Sequence, residues 1–205
     1  GVRVTMCNVD GEYFGNFGSF GEEDGQFVWA SGAATDSRGC VYVTDEYLHR
    51  VSVFDSEGEF LRKWGTGGSG TGEMDGPSGI AIDGDDNVYV SDTHNNRIQQ
   101  FGSDGEHLHT FGSDQLNLPW GLTVAPSGDV YVADWQNNRV QKFSAGGTFL
   151  AKFEGNAAGV GSLNRPSGVA VDSEGDVYVT DWSNHRVQVY GADGVFVTTL
   201  VGDAQ

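Results

Sequence analysis

Short runs of β-branched and aromatic residues, broken every few positions by glycine, aspartate or asparagine, fill this chain from end to end. Residues 88–101 show the pattern best. Val88-Tyr89-Val90-Ser91 reads as a strand, residues 92–96 as a loop, and residues 97–101 as a second strand. Ahead of them, Gly79-Ile80-Ala81-Ile82-Asp83 places Ile80 and Ile82 on one face of another strand, because side chains alternate across a pleat. The intervening Gly84-Asp85-Asp86-Asn87 is made of residues that tolerate left-handed backbone angles, so it reads as a hairpin turn. Behind them, Gly102-Ser103-Asp104-Gly105 turns the chain into residues 107–111. The unit is therefore four strands, a to d.

This unit recurs. Val41-Tyr42-Val43-Thr44-Asp45, Val130-Tyr131-Val132-Ala133-Asp134 and Val177-Tyr178-Val179-Thr180-Asp181 each open the same b–loop–c stretch. The glycines that close the units are Gly18, Gly65, Gly112, Gly155 and Gly202, spaced 47, 47, 43 and 47 residues apart. The third unit is shorter because its leading loop, 113–118, is trimmed relative to 66–76. A period of this size with four strands per unit predicts an all-β fold of four-stranded antiparallel propeller blades. Full blades are expected at 19–65, 66–112, 113–155 and 156–202. In the first of them strand a, Gly32-Ala33-Ala34-Thr35-Asp36, reads as degraded.

Residues 1–18 align with strands c and d alone: Arg3-Val4-Thr5-Met6-Cys7 matches Arg50-Val51-Ser52-Val53-Phe54. The expectation is thus four full blades plus half of one. An incomplete blade leaves strand edges that invite pairing. It is met by a longer protein, by self-association with a second copy, or by an open arc. A start inside a repeat favours the first.

The chain carries 29 acidic residues against 11 basic ones, a net charge of −18. Nucleic-acid affinity depends on Lys and Arg neutralising phosphates, so this balance argues against RNA, DNA and anionic membranes as partners. No run of eighteen apolar residues is present, so membrane insertion is not expected. No secretory leader is visible; a secreted or extracytoplasmic location is the expectation if an upstream signal was lost, and the compartment is otherwise open. Cys7 and Cys40 stand at non-equivalent repeat positions and read as free thiols.

The pattern Pro-x-Gly-φ-Ala-φ-Asp, Gly-x-φ-Tyr-Val-x-Asp and x-x-Asn-x-Arg-φ-x-x-Phe resembles the NHL repeat family of β-propellers. It is met by Pro77-Ser78-Gly79-Ile80-Ala81-Ile82-Asp83 with Asp92, Asn95, Arg97 and Phe101, and again by Pro166-Ser167-Gly168-Val169-Ala170-Val171-Asp172 with Asp181, Asn184 and Arg186. The first unit departs most, with Ala30 for the proline and Leu48 for the asparagine. The resemblance implies a six-bladed ring, of which this chain supplies part or an equivalent. It also implies a mixed functional repertoire: RNA and protein binding, receptor domains, and, among related propellers, lyases and lactone or ester hydrolases. Fold alone therefore assigns no function.

The repeated residues Asp45, Arg50, Asp92, Asn95, Arg97, Asp134, Asn137, Arg139, Asp181, Asn184 and Arg186 sit where neighbouring strands meet. An Asp–Arg hydrogen bond across the strand ends, with the Asn amide serving the loop, makes them structural. A site must instead break the symmetry. After the aspartate stand Glu46, Thr93, Trp135 and Trp182; before the arginine stand His49, Asn96, Asn138 and His185; at the entry of strand a stand Ser31, Ser78, Trp120 and Ser167. Trp120, Trp135 and Trp182, with His49 and His185 at the rim, are the candidate ligand platform, set against the alternative that each indole packs on its neighbouring blade. The expected ligand is a protein, peptide or saccharide, and the expected protein a non-catalytic scaffold. The alternative is a metal-dependent lyase or lactonase-like hydrolase with its site in the axial channel. No cofactor is expected. Related lyases hold metal-binding or catalytic histidines around the strand a entry, where none of these four residues is histidine, so a Zn²⁺ site is not supported. Glu22-Glu23-Asp24 and Glu73-Met74-Asp75 lack the ligand spacing of a Ca²⁺ loop and read as an acidic rim.

Overall fold

The structure is a computed structural model that describes residues 2–155 and 159–200. Gly202 and the start of the last unit at 156 lie outside the described residues. Strands β1 (Val4–Cys7) and β2 (Tyr13–Phe17) form a two-stranded antiparallel half blade. A short parallel pair, β3 (Ser19–Phe20) and β4 (Gln26–Phe27), lies in the loop that follows. Four antiparallel sheets come next, each with its strands in chain order. Blade 1 is β5 (Ala30–Thr35), β6 (Val41–Asp45), β7 (Arg50–Phe54) and β8 (Phe60–Trp64). Blade 2 is β9 (Pro77–Ile82), β10 (Val88–Asp92), β11 (Arg97–Phe101) and β12 (His107–Phe111). Blade 3 is β13 (Pro119–Val124), β14 (Val130–Asp134), β15 (Arg139–Phe143) and β16 (Phe149–Phe153). Blade 4 is β17 (Pro166–Val171), β18 (Val177–Asp181), β19 (Arg186–Tyr190) and β20 (Phe196–Leu200).

The hydrophobic faces of successive blades close on one another. Tyr42, Val51 and Val53 of blade 1 pack with Ile80, Val88, Val90 and Phe101 of blade 2, and the same positions recur between later blades. Each of these layers also contains a residue from the loop that joins strand d to the next strand a: Phe27, Met74, Leu116 and Leu163 are all buried. Burying one such side chain contributes roughly 2 kcal/mol. The loop doubles back to deliver it because the glycine that closes the unit takes a left-handed turn. At Gly112, φ is +81°, and a Cβ would fall 2.5 Å from Leu116 Cδ1.

The inner strands β5, β9, β13 and β17 stand side by side around a common groove lined by Ser31, Ser78, Trp120 and Ser167 and by the glycine after each. Those glycines are where backbones approach most closely. A Cβ on Gly79 would overlap the Trp120 carbonyl oxygen and come within 3.1 Å of Gly121 Cα. This explains why Ala30–Thr35 forms a full six-residue strand although its sequence reads as degraded. Small residues are what the inner strand requires. Gly79→Ala should therefore cost about 1–3 kcal/mol in chemical denaturation. Gly84→Ala, with nothing within 4 Å of its Cβ, should be close to neutral.

Candidate functional site

The loops between strands b and c and those between d and the next a gather on one face of the arc. A buried carboxylate organises each b–c loop. Asp92, fully buried, accepts from Asp75 N–H (2.7 Å), Asn95 Nδ2 (3.0 Å), Arg97 Nε (2.7 Å) and Gln99 Nε2 (3.1 Å). Asp134 and Asp181 take the same arginine bond, from Arg139 Nε at 2.8 Å and Arg186 Nε at 2.7 Å. Asn137 and Asn184 donate to them as Asn95 does to Asp92. The guanidinium then reaches the preceding loop: Arg97 donates to the carbonyls of Ser69, Gly70 and Glu73. One Asp–Arg unit thus fixes both loops of the face.

Blade 1 departs from this. Asp45 and Arg50 do not pair. Asp45 accepts the N–H groups of Val28, Trp29, Tyr47 and Leu48, while Arg50 donates to the carbonyls of Glu22, Glu23 and Gln26. Leu48 has no amide to bridge them, and backbone donors fill the carboxylate instead. Arg50 Nε is left buried without a partner.

The residue before the arginine has a role of its own. His49, Asn96, Asn138 and His185 all adopt left-handed φ of 53–57° at the end of the b–c turn. Asn96 Oδ1 accepts from Leu118 N–H and Asn138 Oδ1 from Arg165 N–H, each tying its blade to the next. His49 Nδ1 accepts from Gly76 N–H at 3.1 Å in the same way. An imidazole nitrogen replaces an amide oxygen here, so His49 serves as an inter-blade tie as well as a rim residue. His185 holds the equivalent position on blade 4, where it is exposed.

Hydroxyls complete the stitching between blades 1, 2 and 3. Thr44 Oγ1 donates to the Ser78 carbonyl at 2.6 Å, Ser78 Oγ meets Thr93 Oγ1 at 2.6 Å, and Thr93 Oγ1 donates to the Pro119 carbonyl at 2.8 Å. At the next interface these positions become Trp120, Ala133 and Trp135. Loss of the stitch leaves a cavity of about 330 Å³ lined by Trp120, Trp135, Ser167 and Trp182. Trp120 and Trp135 lie 6.1 Å apart at 41°, and the Arg165 guanidinium caps Trp135 at 4.9 Å. Trp182 is 57% exposed and Trp120 39%.

Of the five candidate ligand residues, three converge on this cavity. His49 lines a separate cleft between blades 1 and 2 with Trp29, Glu46, Tyr47, Asp75 and His94, and His185 lines neither. Trp29 and Tyr47 are not evident from the repeat alignment at the proline and aspartate positions. Trp29 takes the slot of Gly76, Leu118 and Arg165, one residue before the proline position, where a four-way comparison picks it out.

The acidic hairpin at 83–87 is organised by its own Asp83, and its Asp86 carboxylate accepts from Ser37 N–H and Ser37 Oγ of blade 1, both at 2.8 Å. Asp83 Oδ1 accepts the N–H groups of Asp85 and Asn87, and Asp83 Oδ2 accepts from Tyr89 Oη. Desolvation, followed by the charge of Asp83, pushes the Tyr89 phenol well above its usual range. Among the described residues, no three His, Cys, Asp or Glu side chains are arranged to hold a metal ion. Among the same residues, no helix is long and apolar enough to cross a membrane.

Four-stranded antiparallel sheets packed face to face around a shared inner groove define a β-propeller. Residues 116–143 and 163–190 match the NHL repeat, and residues 33–129 match a family described as a 6-bladed beta-propeller. The chain is thus a β-propeller that carries NHL repeats. No curated protein matches the sequence. Among solved structures, a catalytically inactive virginiamycin B lyase from Staphylococcus aureus with quinupristin superposes with a TM-score of 0.75 at 14% identity, over 99% of this chain and 64% of that one. A streptogramin B lyase gives 0.70 at 15% identity, over 85% and 55%. U3-55K gives 0.71 at 12% identity, over 86% and 53%. The chain thus spans less than two thirds of each of these proteins, and the likeness carries the fold alone.

Proposed function

We propose that this protein is a binding scaffold whose loop-bearing face receives an apolar or aromatic side chain of a protein or peptide partner between Trp120, Trp135 and Trp182. The observation that carries this reading is the convergence of three indoles on the one inter-blade position where the hydroxyl stitch is absent. Tryptophan combines large apolar area with few rotatable bonds, so little ordering entropy is lost on contact. Apart from the indole N–H groups, Ser167 supplies the one polar side chain of the lining. A saccharide, which presents many hydroxyls, would find few side-chain partners there. An apolar side chain fits this lining better. The rival lyase reading draws on fold likeness at 14–15% identity, which does not extend to chemistry.

Selection of random peptides on the wild-type protein, with counter-selection on Trp182→Ala, tests the proposal. Enrichment of peptides sharing an apolar or aromatic residue is the expected result. Recovery of the same peptides in equal yield on both proteins would count against it.

A further inference from the structure

The cleft between blades 1 and 2 lies two blades from the tryptophan cavity on the same face and shares one repeat position with it, yet its chemistry is opposite. Glu46 stands where Trp135 and Trp182 stand in blades 3 and 4. The cleft encloses about 630 Å³ between Trp29, Glu46, Tyr47, His49, Asp75 and His94. Trp29 is 64% exposed and Tyr47 60%, so two aromatic faces are presented to solvent beside two carboxyl groups.

The charges of this cleft are poorly compensated. Among the described residues, neither Glu46 nor Asp75 forms an ion pair with lysine or arginine. Asp75 has only His49 Nδ1 at 3.7 Å and His94 Nδ1 at 3.4 Å, and His49 Nδ1 is already accepting the Gly76 N–H. Partial burial, opposed by the neighbouring His94 and by a hydrogen bond from Ser31, holds the Glu46 carboxyl above its ordinary range. A cation placed against Glu46 would offset that penalty. The tryptophan cavity differs, since the chain's own Arg165 already occupies the cation position over Trp135. In the blade 1–2 cleft no Lys or Arg lies over Trp29 or Tyr47 among the described residues.

From this placement we infer a second subsite: the blade 1–2 cleft binds the guanidinium or ammonium group of a basic peptide side chain, held between the Trp29 and Tyr47 rings and the carboxylates of Glu46 and Asp75. Aromatic faces attract cations through their quadrupole, and the partly desolvated carboxylates supply the counter-charge. The chain's net charge of −18 raises the local concentration of such a ligand. Between the two clefts, Ser78 and Thr93 seal the blade 2–3 interface. A peptide that engages both therefore carries an apolar residue and a basic residue. That last step rests on the reading of the tryptophan cavity given above; the cation subsite does not.

N-acetyl-arginine amide and its uncharged counterpart, N-acetyl-citrulline amide, titrated into the protein by calorimetry and by NMR at low salt, test the inference. The arginine amide should bind saturably and the citrulline amide should not. Glu46→Gln and Trp29→Ala should each weaken binding about tenfold. Trp182→Ala should leave it unchanged, which separates this subsite from the tryptophan cavity, and melting curves should show that the variants fold. The inference is overturned if no saturable binding is seen, if both amides bind alike, or if Glu46→Gln binds as the wild type does.

Discussion

Asp92→Ala is expected to lower the unfolding free energy by about 3–5 kcal/mol, the cost of breaking a buried ion pair by removing one partner. The Asp92 carboxylate is fully buried, and its loss removes the counter-charge of the Arg97 guanidinium, which is only 12% exposed and keeps backbone carbonyls alone as partners, and takes an acceptor from Gln99, Asn95 and the Asp75 N–H. Hydration of that arginine decides how large the loss is. Arg139 is 23% exposed and Arg186 29%, so water can partly replace the carboxylate at those sites. The destabilisation should fall in the order Asp92→Ala, Asp134→Ala, Asp181→Ala. Urea denaturation of the three variants measures it. A loss below about 1 kcal/mol for Asp92→Ala would show that the motif is not the keystone of the loop face.

Trp182→Ala is the second large effect, and it acts on binding. Truncating an aromatic anchor at the centre of a contact typically removes 2 kcal/mol or more, about a thirtyfold rise in Kd. Trp182 is 57% exposed and belongs to none of the buried layers between blades, so its removal should change stability by no more than about 0.5 kcal/mol. Trp135 is a less clean probe. It contacts both Trp120 and Arg165, so its truncation disturbs the cavity as well as any ligand.

Much of this fold could be read from residue order, and the reason is local. Strand alternation, turn residues and the pairing of Asp92 with Arg97 all involve positions within a few residues of each other, and Asp92 and Arg97 face each other in register. The 47-residue spacing and the opening half blade follow from counting the same marks. What stayed hidden depends on contacts between units. Met74 and Leu116 sit in loops without strand periodicity, and nothing local marks them as buried. The role of His49 appears only when Gly76, 27 residues on, is found donating to it. Blade 1 shows the limit in the other direction. Asp45 and Arg50 carry the motif letters, but with Leu48 in place of asparagine their bonds go elsewhere. The three tryptophans were visible as symmetry breakers, yet only the inter-blade geometry separates them from His49 and His185.

Partner binding through the indoles of blades 3 and 4 is measured by a fluorescence-anisotropy titration of one selected peptide against wild type and Trp182→Ala, with the melting temperature of each recorded. A Kd about thirtyfold higher for the variant at an unchanged melting temperature is the expected result. Equal Kd values for two equally stable proteins would contradict it.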